Sequence, residues 1–65
     1  MKLICATRTN GHRVFINIDD IIALEYQATD GLQYTAVCLR NGREIDVTGT
    51  PEDLLQVPNI KMIEL

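Results

Sequence analysis

The sequence predicts a mainly β fold, a small antiparallel barrel of five to six short strands with one short helix. Three observations lead to this prediction. Apolar and polar residues alternate over several short runs, which is the period of a half-buried strand. Asn-Gly pairs, a strong hairpin signal, separate two of these runs from the next. A single Thr-Pro-Glu-Asp segment has the composition of a helix start.

The first half of the chain predicts two strands, a corner and a third strand. Residues 3–9 form the first strand, and an Asn-Gly turn leads into the second at residues 13–18. Residues 17–21 should interrupt the pairing, because Asn and Asp side chains bond nearby backbone amides and favour a single helical turn. The third strand is expected at residues 22–28, with Ile22 on the same face as Leu24 and Tyr26.

The predicted centre of the fold is the hairpin of residues 34–48, folded about Asn41 and Gly42. A two-residue type I′ turn needs positive φ at both central positions, which Asn tolerates and Gly adopts freely. The Asn-Gly pair at residues 10–11 predicts the same turn, whereas residues 29–31 predict a looser one. The fourth strand has apolar residues on both faces, which indicates a central strand or an interface.

The remaining residues predict the helix and a closing strand. Thr50 suits the N-cap and Pro51 the first helical position, and two acidic residues follow at the positive end of the helix dipole. We expect a helix over residues 51–57, ended by Pro58. Residues 60–65 alternate well enough to form a sixth strand, which should pair with the free edge of the first strand and close an SH3-like or Sm-like barrel.

Composition limits the range of functions. Nine acidic and six basic residues give a net charge of −3, so non-specific binding to nucleic acid or to anionic membranes is disfavoured. The length of 65 residues predicts one domain, residues 1–65, with a small core. No secretory signal precedes Lys2 and the apolar runs are too short to span a membrane. We therefore expect a cytoplasmic location, in a bacterium or in the host cell of a virus.

No catalytic, cofactor or metal site is expected. The single histidine, His12, has no metal ligand nearby in the sequence, and no His-carboxylate or Cys-His pair can be identified. Cys5 and Cys38 each lie within an apolar run, which is typical of small buried side chains with free thiols. A disulfide between them requires the first and fourth strands to be neighbours with facing side chains.

We expect a non-enzymatic interaction or assembly module that binds itself or another protein. So small a domain lacks enough chain to cover both apolar faces of its fourth strand. Phe15 is an apolar residue on the polar side of the second strand, and two tyrosines that flank the third turn could pair with each other or anchor a partner. The candidate contact residues are Phe15, Tyr26, Tyr34, Ala36 and Cys38.

The alternative function is nucleic-acid binding through the arginines beside the two Asn-Gly turns. Arg8 and Arg13 flank the first turn, and Arg40 and Arg43 flank the second. If the turns lie at the same end of the molecule, these guanidinium groups form a local basic patch that could contact phosphates bidentately. The other interpretation is that they are solubilising charges at exposed strand ends.

Two families share parts of this pattern. The segments R-T-N-G-x-x-V-F-I-N-I-D-x-I-x-x-L-E and V-x-L-x-N-G-x-x-I-x-V-x-x-x-P-E-D-L resemble the small flagellar FlbD and swarming SwrD-type proteins over nearly the whole chain. That resemblance implies a role in flagellar motility rather than catalysis. The pattern I-x-D-I-x-x-L-E followed by Y-x-x-V-x-L-x-N-G is also similar to the β core of LytTR-type domains, which implies DNA binding.

Overall fold

The structure, a computed structural model, describes residues 1–64 of the chain. Six strands and one short helix confirm the prediction of a mainly β fold. In chain order the elements are β1 (Lys2–Thr7), β2 (Arg13–Asn17), a 3₁₀ turn (Ile18–Asp20), β3 (Ile21–Thr29), β4 (Leu32–Leu39), β5 (Glu44–Thr48), α1 (Pro51–Leu54), a second 3₁₀ turn (Val57–Asn59) and β6 (Ile60–Met62).

The strands form two antiparallel sheets of three, in the orders β2-β1-β6 and β3-β4-β5. The predicted pairing of the C-terminal strand with the first strand is confirmed, since Ile4 pairs with Ile60 in the β1–β6 ladder. Beyond the ladder, Met1 and Ile63 exchange two backbone hydrogen bonds of 2.8 and 2.9 Å. Leu65, the last residue of the predicted strand, lies outside the described residues.

The two sheets do not close into the predicted barrel within residues 1–64. Only one isolated bridge outside the named strands joins them in this part of the chain, between Arg8 and Val47. The chain passes from the first sheet to the second at the predicted corner, where Asn17 Oδ1 accepts a hydrogen bond from Asp19 N at 3.0 Å. This 3₁₀ turn separates β2 from β3, which belong to different sheets.

Both Asn-Gly turns differ from the predicted type I′ geometry. Only their glycines have positive φ, +93° at Gly11 and +88° at Gly42. Hydrogen bonds from Gly11 N to Arg8 O (2.8 Å) and from Arg8 N to His12 O (2.7 Å) define a type I turn followed by a glycine bulge. Residues 39–43 repeat this pattern. The Asn side chains instead accept a hydrogen bond from the backbone two residues on, at 3.0 Å in each turn.

The type I′ turn occurs at Asp30 and Gly31, where the sequence predicts a looser turn. Both residues have positive φ, +47° and +78°, and Thr29 pairs directly with Leu32. The tight turn extends β3 and β4 beyond the end of β5, whose ladder with β4 begins at Tyr34. Residues 28–33 therefore form an exposed two-stranded arm.

The third strand contains an irregularity that the sequence did not reveal. The β3–β4 register shifts between Ile21, which pairs with Leu39, and Ala23, which pairs with Cys38. The shift leaves Ile22 without a partner in the ladder and exposed. The prediction that Ile22 shares the inner face with Leu24 is therefore wrong.

The helix α1 has the predicted start but is shorter than predicted. Thr50 and Asp53 form a capping box, in which Thr50 Oγ1 accepts from Asp53 N at 3.2 Å and Asp53 Oδ2 accepts from Thr50 N at 3.3 Å. The helix ends at Leu54, and Asp53 O there accepts hydrogen bonds from Gln56 N at 3.3 Å and from the Asn59 side chain at 2.6 Å. Pro58 lies in the 3₁₀ turn that follows.

One hydrophobic core lies between the sheets and under α1. Its buried members come from both sheets and from the helix, namely Ile4, Ala6, Ile16, Val37, Val47 and Leu54. Burying an aliphatic side chain of this size contributes about 1.5–3 kcal/mol. Because successive side chains of a strand point to opposite sides, each sheet also has an outer face directed away from this core. These two outer faces are directed to solvent.

Candidate functional site

The outer side of the first sheet presents an exposed aromatic ring among small and basic residues. Cys5 pairs with Phe15 across the β1–β2 ladder, and the next pair on the same side joins Thr7 and Arg13. Leu3 on the central strand pairs with Asn17 on β2 and with Lys61 on β6, which lie on the same side. We call this surface the Phe15 face, and it consists of Leu3, Cys5, Thr7, Arg13, Phe15, Asn17 and Lys61.

Phe15 is the most prominent apolar group of the Phe15 face, with 56% of the residue exposed. Leu3 and Cys5 beside it are half-buried. Arg13 Nη2 donates a hydrogen bond to Cys5 Sγ at 3.0 Å, which holds the guanidinium group over the central strand. Arg13 and Lys61 are the charged residues of this face, so it combines an exposed ring with positive charge.

The outer side of the second sheet has the opposite character. One row of paired residues joins Glu25, Ala36 and Asp46, and the next joins Ala23, Cys38 and Glu44. The charged members of both rows are carboxylates, and they surround two small side chains on the central strand. We call this surface the acidic face, and it consists of Ala23, Glu25, Gln27, Tyr34, Ala36, Cys38, Glu44, Asp46 and Thr48.

The surroundings of Cys38 on the acidic face raise the pKa of its thiol. Burial raises the pKa of this thiol, and the negative charges of Glu25 and Glu44 raise the pKa further. Cys38 Sγ lies 3.9 Å from Glu44 Oε1, to which the protonated thiol can donate. Cys5 and Cys38 are both free and lie on the outer faces of different sheets, so they do not pair within one chain.

The five candidate contact residues do not form one patch. Phe15 lies on the Phe15 face, and Tyr34, Ala36 and Cys38 lie on the acidic face. Ala36 is only 4% exposed, so it forms the floor of that face rather than a projecting contact. Tyr26 pairs with Thr35 on the inner side of the second sheet and is 45% exposed. The two tyrosines therefore lie on opposite sides of the sheet and are not a cross-strand pair.

The structure brings two of the four candidate arginines together. Arg8 and Arg43 line one cleft of about 170 Å³, together with Glu44. Arg40 lines a separate cleft of about 240 Å³ and donates from its guanidinium group to Asp19 O at 2.9 Å. Arg13 lies on the Phe15 face. The two Asn-Gly turns thus lie at the same end of the molecule, but the basic patch contains two arginines and a carboxylate rather than four arginines.

The sequence reasoning missed the acidic face as a unit. Glu44 and Asp46 are recognisable as outward-facing residues of one strand, but Glu25 lies on another. Aligning it with them requires the register of β3 on β4, which the turn at Asp30 and Gly31 fixes. Reading Asp30-Gly31 as a type I′ turn and Asn41-Gly42 as a type I turn with a glycine bulge would have placed the three carboxylates on one surface.

No three His, Cys, Asp or Glu side chains of residues 1–64 are grouped as metal ligands. Within the same residues, no helix has both the length and the apolar character needed to cross a membrane. Comparisons of the chain with protein-family models, with curated proteins and with solved structures gave no match. The two family resemblances therefore stay predictions.

Proposed function

We propose that this chain is a non-enzymatic assembly module that associates with other copies of itself through its outer sheet faces. The observation that carries the proposal is the exposure of Phe15 on the outer side of the edge strand β2, beside Arg13. Aromatic and arginine side chains are the residues that most often dominate the energy of protein interfaces. Covering the exposed part of the ring contributes on the order of 1 kcal/mol from apolar burial alone.

The size of the domain supports the same proposal. Nine large apolar residues are exposed within residues 1–64, and they are distributed over the strands, the arm and the segments around α1. A chain of 65 residues has a small core, so contact with another molecule would remove part of this apolar surface from water. Phe15 differs from the others in lying on the Phe15 face, where it pairs directly with Cys5 on the central strand.

Sedimentation equilibrium of a Phe15→Thr variant tests this proposal. Threonine keeps the strand propensity of the site and removes the ring. We expect the wild-type chain to form oligomers and the variant to shift toward the monomer. Leu32→Thr is the matched control, because Leu32 is also 56% exposed but lies on the arm. A wild-type chain that stays monomeric at high concentration, or a Phe15→Thr variant that associates like the wild type, would contradict the proposal.

Nucleic-acid binding is the second candidate function, because Arg8 and Arg43 line a common cleft. Glu44 in the same cleft and the net charge of −3 oppose it. Titration of a labelled oligonucleotide at low salt separates the two functions. Binding that weakens steeply with salt, and that Arg43→Ala reduces more than Arg13→Ala does, would favour nucleic acid. The assembly proposal predicts no binding.

A further inference from the structure

The two outer faces have complementary charge. The Phe15 face carries the positive charges of Arg13 and Lys61, and its remaining members are neutral. The acidic face carries three carboxylates, which belong to Glu25, Glu44 and Asp46, and its remaining members are neutral. Both sheets pack on one core through their inner sides, so the two faces are directed away from each other.

This charge distribution distinguishes between the ways in which two copies could pair. Two Phe15 faces in contact would bring together four positive groups, and two acidic faces would bring together six carboxylates. Like charges in such positions oppose association, whereas contact between a Phe15 face and an acidic face places positive groups against carboxylates. A symmetric dimer through either face is therefore disfavoured, although two-fold dimers are the commonest oligomers in general.

We propose that the Phe15 face of one copy binds the acidic face of a second copy, so that molecules join head to tail. This inference rests on the self-association proposed above and adds its partner surface and its direction. Every copy in such an assembly has one face of each kind, so each bound pair leaves one Phe15 face and one acidic face free. A head-to-tail contact then continues into a ring or an open filament rather than stopping at a dimer.

The shapes of the two faces suit this contact. The central strand of the acidic face contributes Ala36 and Cys38, whose side chains are small and project little from the sheet. Phe15 projects from the opposite face and can lie against these small side chains. A standard interface removes about 800 Å² from each partner, which is about one sixth of the 4657 Å² surface of this chain. One molecule therefore has enough surface to use both faces at once.

The two cysteines provide a direct test, since each lies on the central strand of its sheet. Cys5 is on β1 at the centre of the Phe15 face, and Cys38 is on β4 at the centre of the acidic face. Sheets that stack face to face are separated by about 10 Å, which a short bis-maleimide can span. Cross-linking should be run at a pH at which a monofunctional maleimide labels both thiols completely.

The arrangement predicts a specific pattern of products from three samples. Wild-type protein should give a ladder of covalent multimers, because each copy offers both thiols. Cys5→Ala alone and Cys38→Ala alone should give monomers, because neither variant can form a Cys5–Cys38 link. An equal mixture of the two variants should give a covalent dimer and nothing larger.

Other products would overturn the inference in recognisable ways. A covalent dimer from Cys38→Ala alone would show that two Phe15 faces meet, and one from Cys5→Ala alone would show that two acidic faces meet. Either result would leave self-association standing and remove the head-to-tail arrangement. Oligomers in sedimentation without any cross-linked product would also overturn this inference alone, whereas monomers in sedimentation would overturn the proposed function with it.

Charge reversal gives an independent arm of the test. Arg13→Glu together with Lys61→Glu should weaken association by at least about tenfold, because two attractive contacts become repulsive. Arg43→Glu combined with Arg40→Glu changes the net charge equally but lies outside both faces, and it should associate like the wild type. Equal weakening by both pairs of changes would overturn the proposal, since only net charge would then matter.

Discussion

The two sheets of this molecule pack on one core in the same way, but their outer faces carry charges of opposite sign. Each has three antiparallel strands, and each contributes aliphatic side chains to one shared core. Each also carries a cysteine on the outer side of its central strand, Cys5 beside Arg13 in one sheet and Cys38 beside Glu44 in the other. The inner sides form the core that stabilises the fold, while in the proposed assembly the charges on the outer sides select the contact.

The largest expected effect is on the free energy of unfolding, which a substitution on the inner side of the first sheet should lower much more than one on its outer side. Ile4 is buried in the core, and Ile4→Ala should lower the free energy of unfolding by about 2–5 kcal/mol. Phe15→Ala should lower it by much less, because the ring is largely outside already. Urea denaturation of both variants, followed by circular dichroism, measures the difference. Equal losses for the two variants would mean that Phe15 belongs to the core.

A smaller effect is expected from the one buried polar side chain of the second sheet. Thr35 is completely buried, and its Oγ1 donates to Gly49 O at 2.7 Å. Thr35→Val keeps the shape but leaves that carbonyl without its donor, which should cost about 1–3 kcal/mol. Thr35→Ser keeps the hydroxyl and serves as the control for the hydrogen bond. If valine stabilised the protein, the bond to Gly49 would contribute nothing.

The smallest expected effect concerns the chemistry of Cys38. Burial and the neighbouring carboxylates raise the pKa of its thiol, so Glu44→Gln should lower that pKa and increase the thiolate fraction at a fixed pH. The rate of maleimide labelling of Cys38 should then rise at a pH below the thiol pKa, because the thiolate is the reactive form. Glu52→Gln, on α1, is the control and should leave the rate unchanged. An unchanged rate in Glu44→Gln would show that this carboxylate does not influence the thiol.

The same pKa shift predicts how stability depends on pH in the alkaline range. The folded state holds the Cys38 proton more tightly than the unfolded chain does, because the pKa is raised on folding. The contribution of this thiol to stability is therefore fully present below the pKa of the unfolded state and is lost as the pH rises through the folded pKa. Cys38→Ala should reduce this alkaline loss of stability in thermal melts recorded at several pH values. An alkaline loss of the same size in the variant would rule out Cys38 as its source.

Local patterns in the sequence were sufficient to predict much of the fold. The corner after β2 follows from Asn17 and Asp19, and the start of α1 follows from Thr50 and Asp53. Each of these features depends on side chains that bond the backbone within three residues, so no distant part of the chain has to be known. The position of β6 also followed from sequence, because an apolar final strand needs an edge on which to pair.

Features for which alternative conformations have similar free energies could not be predicted from local sequence patterns. Asn-Gly fits both a type I′ turn and a type I turn with a glycine bulge, and the pairing of Arg8 with His12 selects the second. At the end of α1, Asn59 lies beyond the helix and donates back to Asp53 O, a contact that no local pattern indicates. Barrel closure depends on long-range pairing that no local pattern specifies, and the acidic face depends on the register of three strands.

Sedimentation equilibrium of the wild-type chain over a wide concentration range, at low and at high salt, distinguishes a head-to-tail assembly from a monomer. Association through complementary faces predicts an average mass that rises with concentration beyond that of a dimer at low salt, and that falls when salt screens the charges. A mass equal to that of the 65-residue monomer at every concentration and in both salts would contradict the claim that this chain is a self-assembling module.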